Sequence, residues 1–188
     1  MGREIRTTRI VLRPITIADL DELHRVWTDP EMRRYIWDGV AISRDDAAQL
    51  IARSTDYFEE LGFGLWATRF AGEADIIGFC GFWYFRDPPE LELIYGLLPL
   101  YWGKGLATES ARAMIEYGFE ILSFESIVAT TDAANLASTG VMERAGMTFI
   151  KRAAIGGIDT ACYAISRFSF DRAKMTRRNL GARGKADR

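Results

Sequence analysis

Apolar positions along the chain follow two different periods. A repeat of about 3.6 residues predicts four amphipathic helices, at 17–28, 43–62, 106–121 and 135–145. Alternating or continuous apolar runs bounded by turn residues predict seven strands, at 9–14, 64–70, 76–85, 91–98, 126–131, 147–154 and 160–168. This order of elements is typical of a single mixed α/β or α+β domain, and it contains an antiparallel meander in its first half.

One stretch in the middle of the chain joins a strand, a glycine loop and a helix. The apolar run 91–98 ends at Pro99, and the loop 102–105 (Trp-Gly-Lys-Gly) leads into the helix that begins at Leu106. Glycine allows positive φ and close approach of the backbone, and the first N–H groups of a helix point at an anion. The stretch therefore predicts a phosphate or pyrophosphate site, with an ordinary β–α connection as the alternative.

Two common phosphate motifs do not match this loop. A Walker loop requires the spacing GxxxxGK[ST], which the segment 103–108 does not supply. A dinucleotide-binding GxGxxG motif would need glycine where this chain has Thr108. Only about 80 residues follow the loop, and a doubly wound fold needs several βαβ units. Both classes are therefore disfavoured.

The composition is that of a soluble, well-packed domain. The 188 residues are 48% apolar and 12% aromatic, which argues against disorder. No apolar run approaches the roughly 20 residues of a membrane-spanning helix, and the N-terminus has no apolar signal-peptide core. Cys80 and Cys162 predict buried free thiols in a reducing, cytoplasmic compartment. With His24 as the single histidine, the sequence favours neither a metal site nor a Ser-His-Asp triad.

Charge is distributed unevenly along the chain. Residues 171–188 hold seven basic and two acidic residues, whereas 1–170 hold 17 basic and 24 acidic residues. An acidic body favours cationic small substrates over nucleic acid. The basic segment 171–188 is predicted to be a flexible C-terminal tail, with a contact to nucleic acid or another anionic surface as the alternative.

Two motifs at this spacing resemble the GCN5-related N-acetyltransferase (GNAT) superfamily. The segment 101–108 resembles its acyl-CoA-binding motif, Q/R-x-x-G-x-G/A, with Trp102 in the place of Gln or Arg. That variant is common in the RimJ/RimL-like branch. The segment 135–147 resembles the second motif, N-x-x-S…GF, with Met147 in the place of Phe. The resemblance covers roughly residues 7–168.

The resemblance implies a fold and a cosubstrate. The expected fold is a single domain, 7–170, with a mostly antiparallel sheet of six to seven strands, about four flanking helices and splayed central strands. The expected cosubstrate is acetyl-CoA, with its pyrophosphate on the glycine loop and its pantetheine arm beside the splayed strands. The cofactor-binding residues implied in this way are Leu97, Leu98, Trp102, Gly103, Lys104, Gly105, Leu106, Ala107, Thr108, Asn135 and Ser138.

Catalytic roles are also assigned through the resemblance. Transfer to an amine requires a group that removes a proton from the ammonium, directly or through water. Glu92 is the candidate base, Glu90 is its substitute, and a surface salt bridge is the structural alternative for Glu92. Relatives often have a tyrosine shortly after the asparagine, which this chain lacks. Ser138 is therefore the candidate partner of the leaving thiolate, while an N–H at Leu97 is expected to stabilise the oxyanion.

The acceptor is expected to be a primary amine on a small molecule or a protein N-terminus. Candidate acceptor-binding residues are Trp37, Asp38, Trp83 and Tyr84, through charge and cation–π contact, with core packing as the alternative for the aromatic residues. A homodimer is frequent in the family. Two other function classes remain at this stage: a non-catalytic acyl-CoA-binding or regulatory module with the same fold, and a nucleic-acid binder that uses its basic tail.

Overall fold

An eight-stranded sheet organises the chain. The computed structural model describes residues 4–36, 39–85 and 90–186, with side chains as far as residue 176. The strands are β1 (Ile5–Arg6), β2 (Ile10–Pro14), β3 (Leu65–Phe70), β4 (Ile76–Phe85), β5 (Glu90–Leu97), β6 (Ser126–Asp132), β7 (Thr148–Ile155) and β8 (Ile158–Ser166). The helices in these ranges are α1 (Leu20–Thr28), α2 (Pro30–Arg33), α3 (Arg44–Leu61), α4 (Leu106–Glu120), α5 (Leu136–Ala145) and α6 (Arg167–Ala186).

The sheet order is β1-β2-β3-β4-β5-β6-β8-β7, and β5–β6 is the parallel pair among otherwise antiparallel neighbours. The predicted mixed, mostly antiparallel single domain is confirmed. The count of six to seven strands is wrong by the short strand β1, which pairs Ile5 with Leu12. Two residues are too few to show an alternating pattern, so hydrophobic periodicity carries no signal for this strand. The number of α-helices is likewise larger than the four predicted, by the short helix α2 and the helix α6.

The C-terminal segment contains the last helix of the chain. Helix α6 begins at Arg167 and continues to Ala186, so the expected division after residue 170 falls inside a helix. Its first turns pack on α4: the Phe170 and Phe119 rings are 4.9 Å apart, and Lys174 Nζ lies 2.7 Å from a carboxylate oxygen of Glu120. The division at residue 170 as a domain boundary stays a prediction.

Two apolar cores lie on the two faces of the sheet. One contains Leu23 of α1 and Ile51 of α3, and the other contains Met114 of α4 and Met142 of α5. Capping positions that the sequence indicates begin and end these helices. Ser43 caps α3 by accepting a hydrogen bond from the Asp46 N–H at 3.1 Å, and Gly62 closes that helix in the left-handed conformation.

The two central strands separate soon after they meet. β5 and β6 share a single recorded pair, Glu92 with Val128, although both strands continue for several residues. Beyond that pair the strands diverge and leave a gap, with the glycine loop following the far end of β5. The expected splay of the central strands is present, and it determines where an extended ligand can enter the sheet.

Candidate functional site

The glycine loop presents an open helix N-terminus. Gly103 and Gly105 have φ of 71° and 76°, and a Cβ added at either position would meet no atom closer than 3.6 Å. Conformation rather than crowding therefore requires glycine at these two positions. Gly105 is the N-cap of α4, and its carbonyl accepts from the Glu109 N–H at 3.0 Å. The N–H groups of the first turn, 106–108, have no acceptor within their own helix and suit an anion.

Trp102 ties the loop to the end of β5. Its indole Nε1 donates to the Leu97 carbonyl oxygen at 2.5 Å, while the side chain remains 46% exposed. This bond gives a structural role to the residue that stands where the motif has Gln or Arg. It fixes the distance between the loop and the mouth of the gap.

Arg9, on the segment between β1 and β2, holds the loop from the other side. Its Nη1 donates to the Lys104 carbonyl oxygen at 2.8 Å, and its Nε donates to Glu109 at 2.7 Å. Thr7 Oγ1 donates to the same Glu109 carboxylate at 2.5 Å. Burial opposes ionisation of Glu109, but these hydrogen bonds outweigh it and lower its pKa. The loop is therefore held by an ionised, multiply bonded cluster.

Further cations stand around the same helix end. The Lys104 ammonium lies 5.6 Å from the centre of the Tyr101 ring. Arg144 of α5 reaches the Thr108 hydroxyl at 3.4 Å, and Arg112 of α4 donates to the Arg144 carbonyl. These groups favour an anionic ligand beside the open N–H groups. Leu106 is buried in the core beneath them, where it fixes the position of the first turn.

The gap beyond Glu92 is lined by backbone of β5 that is not paired with β6. The Leu98 N–H donates to Ile77 of β4 at 2.9 Å, so this N–H faces away from the gap. Because N–H directions alternate along a strand, the N–H of Leu97 points to the opposite side, into the gap. The structure thus places Leu97, but not the Leu98 N–H, where a pantetheine amide or a thioester oxygen could bind.

Glu92 lies at the point where β5 and β6 separate and the gap begins. Its side chain is 3% exposed, and its Oε2 accepts from the Thr130 hydroxyl of β6 at 2.5 Å. The next residue on the same face of β5, Ile94, packs with the core of α1 and α3, so Glu92 faces that side of the sheet. The surface salt bridge considered from the sequence is not what the structure shows, because this carboxylate is buried.

The other acidic and aromatic candidates do not all lie beside Glu92. Trp83 is the cross-strand partner of Glu92 and packs with the same core. Tyr84 packs on the opposite core and, with Glu90, lines a different cavity of about 430 Å³. The structure therefore groups Trp83 with Glu92 and leaves Tyr84 on the opposite face, while Glu90 is exposed at the start of β5, two residues before Glu92. Trp37 and Asp38 lie outside the described residues.

Asn135 and Ser138 form the start of α5 on the far side of the gap. The Asn135 side chain caps the helix by accepting from the Ser138 N–H at 3.1 Å. The Ser138 hydroxyl lies 2.9 Å from the hydroxyl of Tyr95, which extends from β5. Tyr95 is largely buried, and burial raises its pKa to about 12. The site therefore has a phenol that the search for a tyrosine after Asn135 did not find.

Sequence reasoning missed several residues that shape the site, namely Arg9, Tyr95, Arg112, Thr130 and Arg144. Four of them contact a candidate residue from a distant segment, and Arg112 contacts the carbonyl of Arg144. Spacing along the chain carries no signal for such contacts. Tyr95 alone had a local signal, since it lies on the same strand as Glu92 and Leu97 and shares a face of that strand with Leu97.

This arrangement defines a class of protein. An open helix N-terminus flanked by cations binds a pyrophosphate, and a backbone-lined gap leading from it accepts an extended amide-containing arm. A buried carboxylate lies on one face of the sheet, where the gap begins, and a pair of hydroxyl groups lies on the other face. The site is that of an acyl-CoA-dependent transferase.

Comparisons with known proteins identify the family. A family model described as "Acetyltransferase (GNAT) domain" matches residues 9–148. The FsC-acetyl coenzyme A-N(2)-transacetylase of Aspergillus fumigatus is 28% identical over 159 residues, which span 78% of this chain and 66% of that protein. The chain belongs to the GNAT acetyltransferase domain family.

Solved structures agree in fold. A GNAT-family acetyltransferase from Bacillus anthracis is 25% identical with a TM-score of 0.71, and the match covers 87% of this chain and 98% of that one. RimL, a ribosomal L7/L12 α-N-protein acetyltransferase solved with coenzyme A, has a TM-score of 0.74 at 16% identity, over 87% and 98% of the two chains. The prediction of an acetyl-CoA-dependent N-acetyltransferase is confirmed at the level of the family.

Within residues 4–36, 39–85 and 90–186, no group of three or more His, Cys, Asp or Glu side chains is placed to hold a metal ion. No helix in the same ranges is both long enough and apolar enough to cross a membrane. Cys80 and Cys162 are buried free thiols, as predicted.

Proposed function

We propose that this chain transfers an acetyl group from acetyl-CoA directly to a primary amine, as a member of the RimJ/RimL-like branch. The observation that carries the proposal is the continuous path from the open N-terminus of α4, past the Leu97 backbone, to the vertex of the gap at Glu92. The glycine loop of this chain has the Trp-Gly-Lys-Gly sequence of that branch, and the likeness to RimL supports the fold.

Acetyl-CoA fits the residues present. The first-turn N–H groups 106–108 would hold its pyrophosphate, with Arg144 and Lys104 adding positive charge. The Leu97 N–H would bind the pantetheine arm or the thioester oxygen, and the Asn135 amide stands across the gap. Trp102, through its bond to the Leu97 carbonyl, keeps that backbone in place for the ligand.

The group that acts on the amine and the group that acts on the thiolate lie on opposite faces of the sheet. The neutral amine attacks the thioester carbonyl carbon, the oxygen becomes negative and is stabilised by a backbone N–H, and the C–S bond then breaks. Glu92 accepts the proton that the amine loses. Ser138 donates a hydrogen bond to the departing thiolate. No covalent acyl-enzyme is required, since both substrates meet in the gap.

The position of Glu92 determines how it works as a base. Glu92 lies five residues before Leu97, which corresponds to about 16 Å along an extended strand. Proton transfer from an amine at the Leu97 end therefore requires a relay of several water molecules to Glu92, because each hydrogen-bonded step spans only about 3 Å. The Thr130 hydroxyl, hydrogen-bonded to one carboxylate oxygen, orients the group at the vertex.

The acceptor site is proposed on the face of the sheet that Glu92 and Trp83 share. An acidic body favours a cationic amine there, and the indole of Trp83 offers a cation–π surface. Proteins with this fold act on acceptors as different as FsC and the N-terminus of ribosomal L7/L12, by their names. A small amine or a protein N-terminus is the proposed acceptor class. A cytoplasmic location and a homodimer stay predictions.

Two measurements test the proposal. Calorimetric titration with acetyl-CoA is expected to show a single site with micromolar or tighter affinity. A panel of primary amines, from amino acids and polyamines to aminoglycosides and N-terminal peptides, is then screened for release of free CoA thiol. Failure to bind acetyl-CoA would overturn the proposal. Tight binding without thiol release across the panel would favour the non-catalytic module.

A further inference from the structure

The end of β6 places a carboxylate on the wall of the gap. Glu92 and Val128 are paired where β5 and β6 meet, and the two strands run parallel. Four residues further on, β5 reaches Gly96 and β6 reaches Asp132, each about 13 Å from that pair along an extended strand. Asp132 therefore lies across the gap at the level of Gly96 and its neighbour Leu97, where the thioester is proposed to bind.

The Asp132 side chain faces the same side of the sheet as Glu92. Thr130 donates to the Glu92 carboxylate at 2.5 Å, which fixes the face of β6 to which Thr130 belongs. Side chains alternate along a strand, so Asp132, two residues further on, shares that face. The intervening residues of the alternation, Ala129 and Ala133, pack with the core of α4 and α5 on the opposite face. The carboxylate therefore lies on the side of the sheet proposed for the acceptor.

One oxygen of this carboxylate belongs to the turn that leads to α5. Asp132 is half-buried, and its Oδ1 accepts from the Ala134 N–H at 2.8 Å. Among the residues that the structure describes, Asp132 makes no other hydrogen bond or ion pair. An ionised carboxylate accepts at both of its oxygens, so Oδ2 is available to a donor in the gap.

The turn by itself does not require a negative charge. An asparagine at position 132 would offer the same Oδ1 to the Ala134 N–H, since both residue types form such turns. What aspartate adds is charge, and the facing wall of β5 presents the uncharged residues Ile94 and Gly96 on the same face. An amine acceptor arrives at neutral pH as an ammonium, and a hydrogen bond between opposite charges is about twice as strong as a neutral one.

We propose that Asp132 binds the ammonium of the acceptor beside the thioester and thereby selects amines that are positively charged before they react. The inference rests on the proposed function, because it takes the gap as the place where acetyl-CoA and the acceptor meet. Asp132 differs in this role from Glu92, which lies where the gap begins and takes the proton through water. Binding at Asp132 also orients the nitrogen for attack once that proton is lost.

The experiment uses coenzyme A derivatives that carry the charge themselves, so the acceptor does not need to be known. S-(2-aminoethyl)-CoA places an ammonium beside the sulfur, and S-propyl-CoA is its neutral counterpart of the same length. In calorimetry on the full chain, the wild type is expected to bind the aminoethyl derivative about tenfold more tightly or better, as for one hydrogen bond between charged groups. Asp132→Asn should remove this preference and leave the affinity for S-propyl-CoA unchanged, because asparagine keeps the turn.

Asp159→Asn is the matched control. Asp159 lies one residue before Thr160, the cross-strand partner of Asp132, so its side chain is on the opposite face of the sheet, where it pairs with Arg152. Its replacement removes the same charge from the same end of the sheet and should leave the preference for the ammonium intact. Asp132→Glu keeps the charge and should retain part of the preference that Asp132→Asn loses.

The outcomes separate this inference from the proposed function. If the wild type binds both derivatives equally, or if Asp132→Asn keeps the preference, the role of Asp132 is overturned and the transferase assignment stands. An equal loss of affinity for both derivatives in Asp132→Asn would overturn it too, because the residue would then serve the turn alone. Loss of the preference in Asp159→Asn would show that long-range charge is responsible. A wild type that binds neither derivative nor CoA overturns both proposals.

Discussion

The Arg9 guanidinium donates to the Lys104 carbonyl oxygen at 2.8 Å, across 95 positions of sequence. This contact turns the Lys104 carbonyl toward the segment between β1 and β2. In a loop with two left-handed glycines, the orientation of one carbonyl fixes the direction of the neighbouring N–H groups. The N-terminal segment of the chain therefore takes part in shaping the anion site more than 90 residues away.

Replacing Arg9 should weaken cofactor binding without slowing the chemical step. Arg9→Ala removes the bonds to Lys104 and Glu109, and we expect KM for acetyl-CoA to rise about tenfold at unchanged kcat, since a charged hydrogen bond contributes about 1.5–3 kcal/mol. Arg9→Lys should recover only part of the affinity, because an ammonium cannot reproduce the guanidinium fork. Steady-state kinetics with varied acetyl-CoA measure both parameters.

Arg6→Ala is the control for Arg9. Arg6 is an exposed arginine in β1 that pairs with Glu4, so its removal deletes a nearby positive charge but no loop contact. An equal rise in KM for the Arg6 and Arg9 variants would show that long-range charge, rather than loop positioning, is responsible.

A Cβ at Gly105 should cost both stability and affinity. At φ of 76° a side chain costs about 1–2 kcal/mol of backbone strain, and relief of that strain would move the first-turn N–H groups. We expect Gly105→Ala to lower Tm and to reduce acetyl-CoA affinity in calorimetry. Gly72→Ala, at φ of 88° in the turn between β3 and β4 with open space around it, should lower Tm similarly and leave affinity intact. Equal affinities for the two variants would contradict the assigned role of the loop.

The proposed catalytic role of Glu92 and its structural role are separable by two substitutions. Glu92→Gln keeps an oxygen that accepts from Thr130 but cannot take a proton, so kcat at neutral pH should fall by about a hundredfold or more with cofactor affinity preserved. Thr130→Val removes the hydroxyl and should mainly lower Tm, because it leaves a buried carboxylate less well bonded.

Glu90→Gln distinguishes the two carboxylates. Glu90 is exposed at the start of β5 and lies two residues further from Leu97 than Glu92 does, so we expect it to take no part in proton transfer. A large loss of kcat in Glu90→Gln, with full activity in Glu92→Gln, would reverse the assignment of the base.

How far the sequence predicts the fold and the site depends on the range of the interaction. The caps at Ser43 and Asn135 and the left-handed Gly105 follow from residues within four positions, and all were indicated by local patterns. The bonds from Glu92 to Thr130 and from Tyr95 to Ser138 join segments 38 and 43 residues apart, and they depend on which strands become neighbours. That information lies in the packing of the whole sheet, which periodicity does not contain.

Strand alternation also explains why only one of the two acceptor candidates in β4 lies on the same face as Glu92. Trp83 and Tyr84 are adjacent in sequence, and consecutive side chains of a strand face opposite sides of a sheet. The sequence identified both as candidate acceptor-binding residues, but only Trp83 shares a face of the sheet with Glu92. A pair of neighbouring residues in β4 therefore could not have formed one binding surface.

The ion pair at the start of α1 should make folding stability depend on acidic pH. Asp19 accepts from Arg13 at 2.7 and 2.5 Å and from the Thr16 N–H at 2.8 Å. Burial raises the pKa of Asp19, but the bonds from Arg13 and Thr16 outweigh it, so the folded-state pKa lies below the unfolded one. This contribution is present above the unfolded pKa of about 3.9 and is lost as the pH falls through the lower, folded value.

Asp19→Asn should therefore reduce the free energy of unfolding at pH 7 and flatten its decline in acid, measured by urea denaturation across the pH range. Asp21→Asn, at an exposed surface pair with Arg44, should leave the wild-type profile unchanged. Parallel profiles for Asp19→Asn and the wild type would contradict the role of this carboxylate.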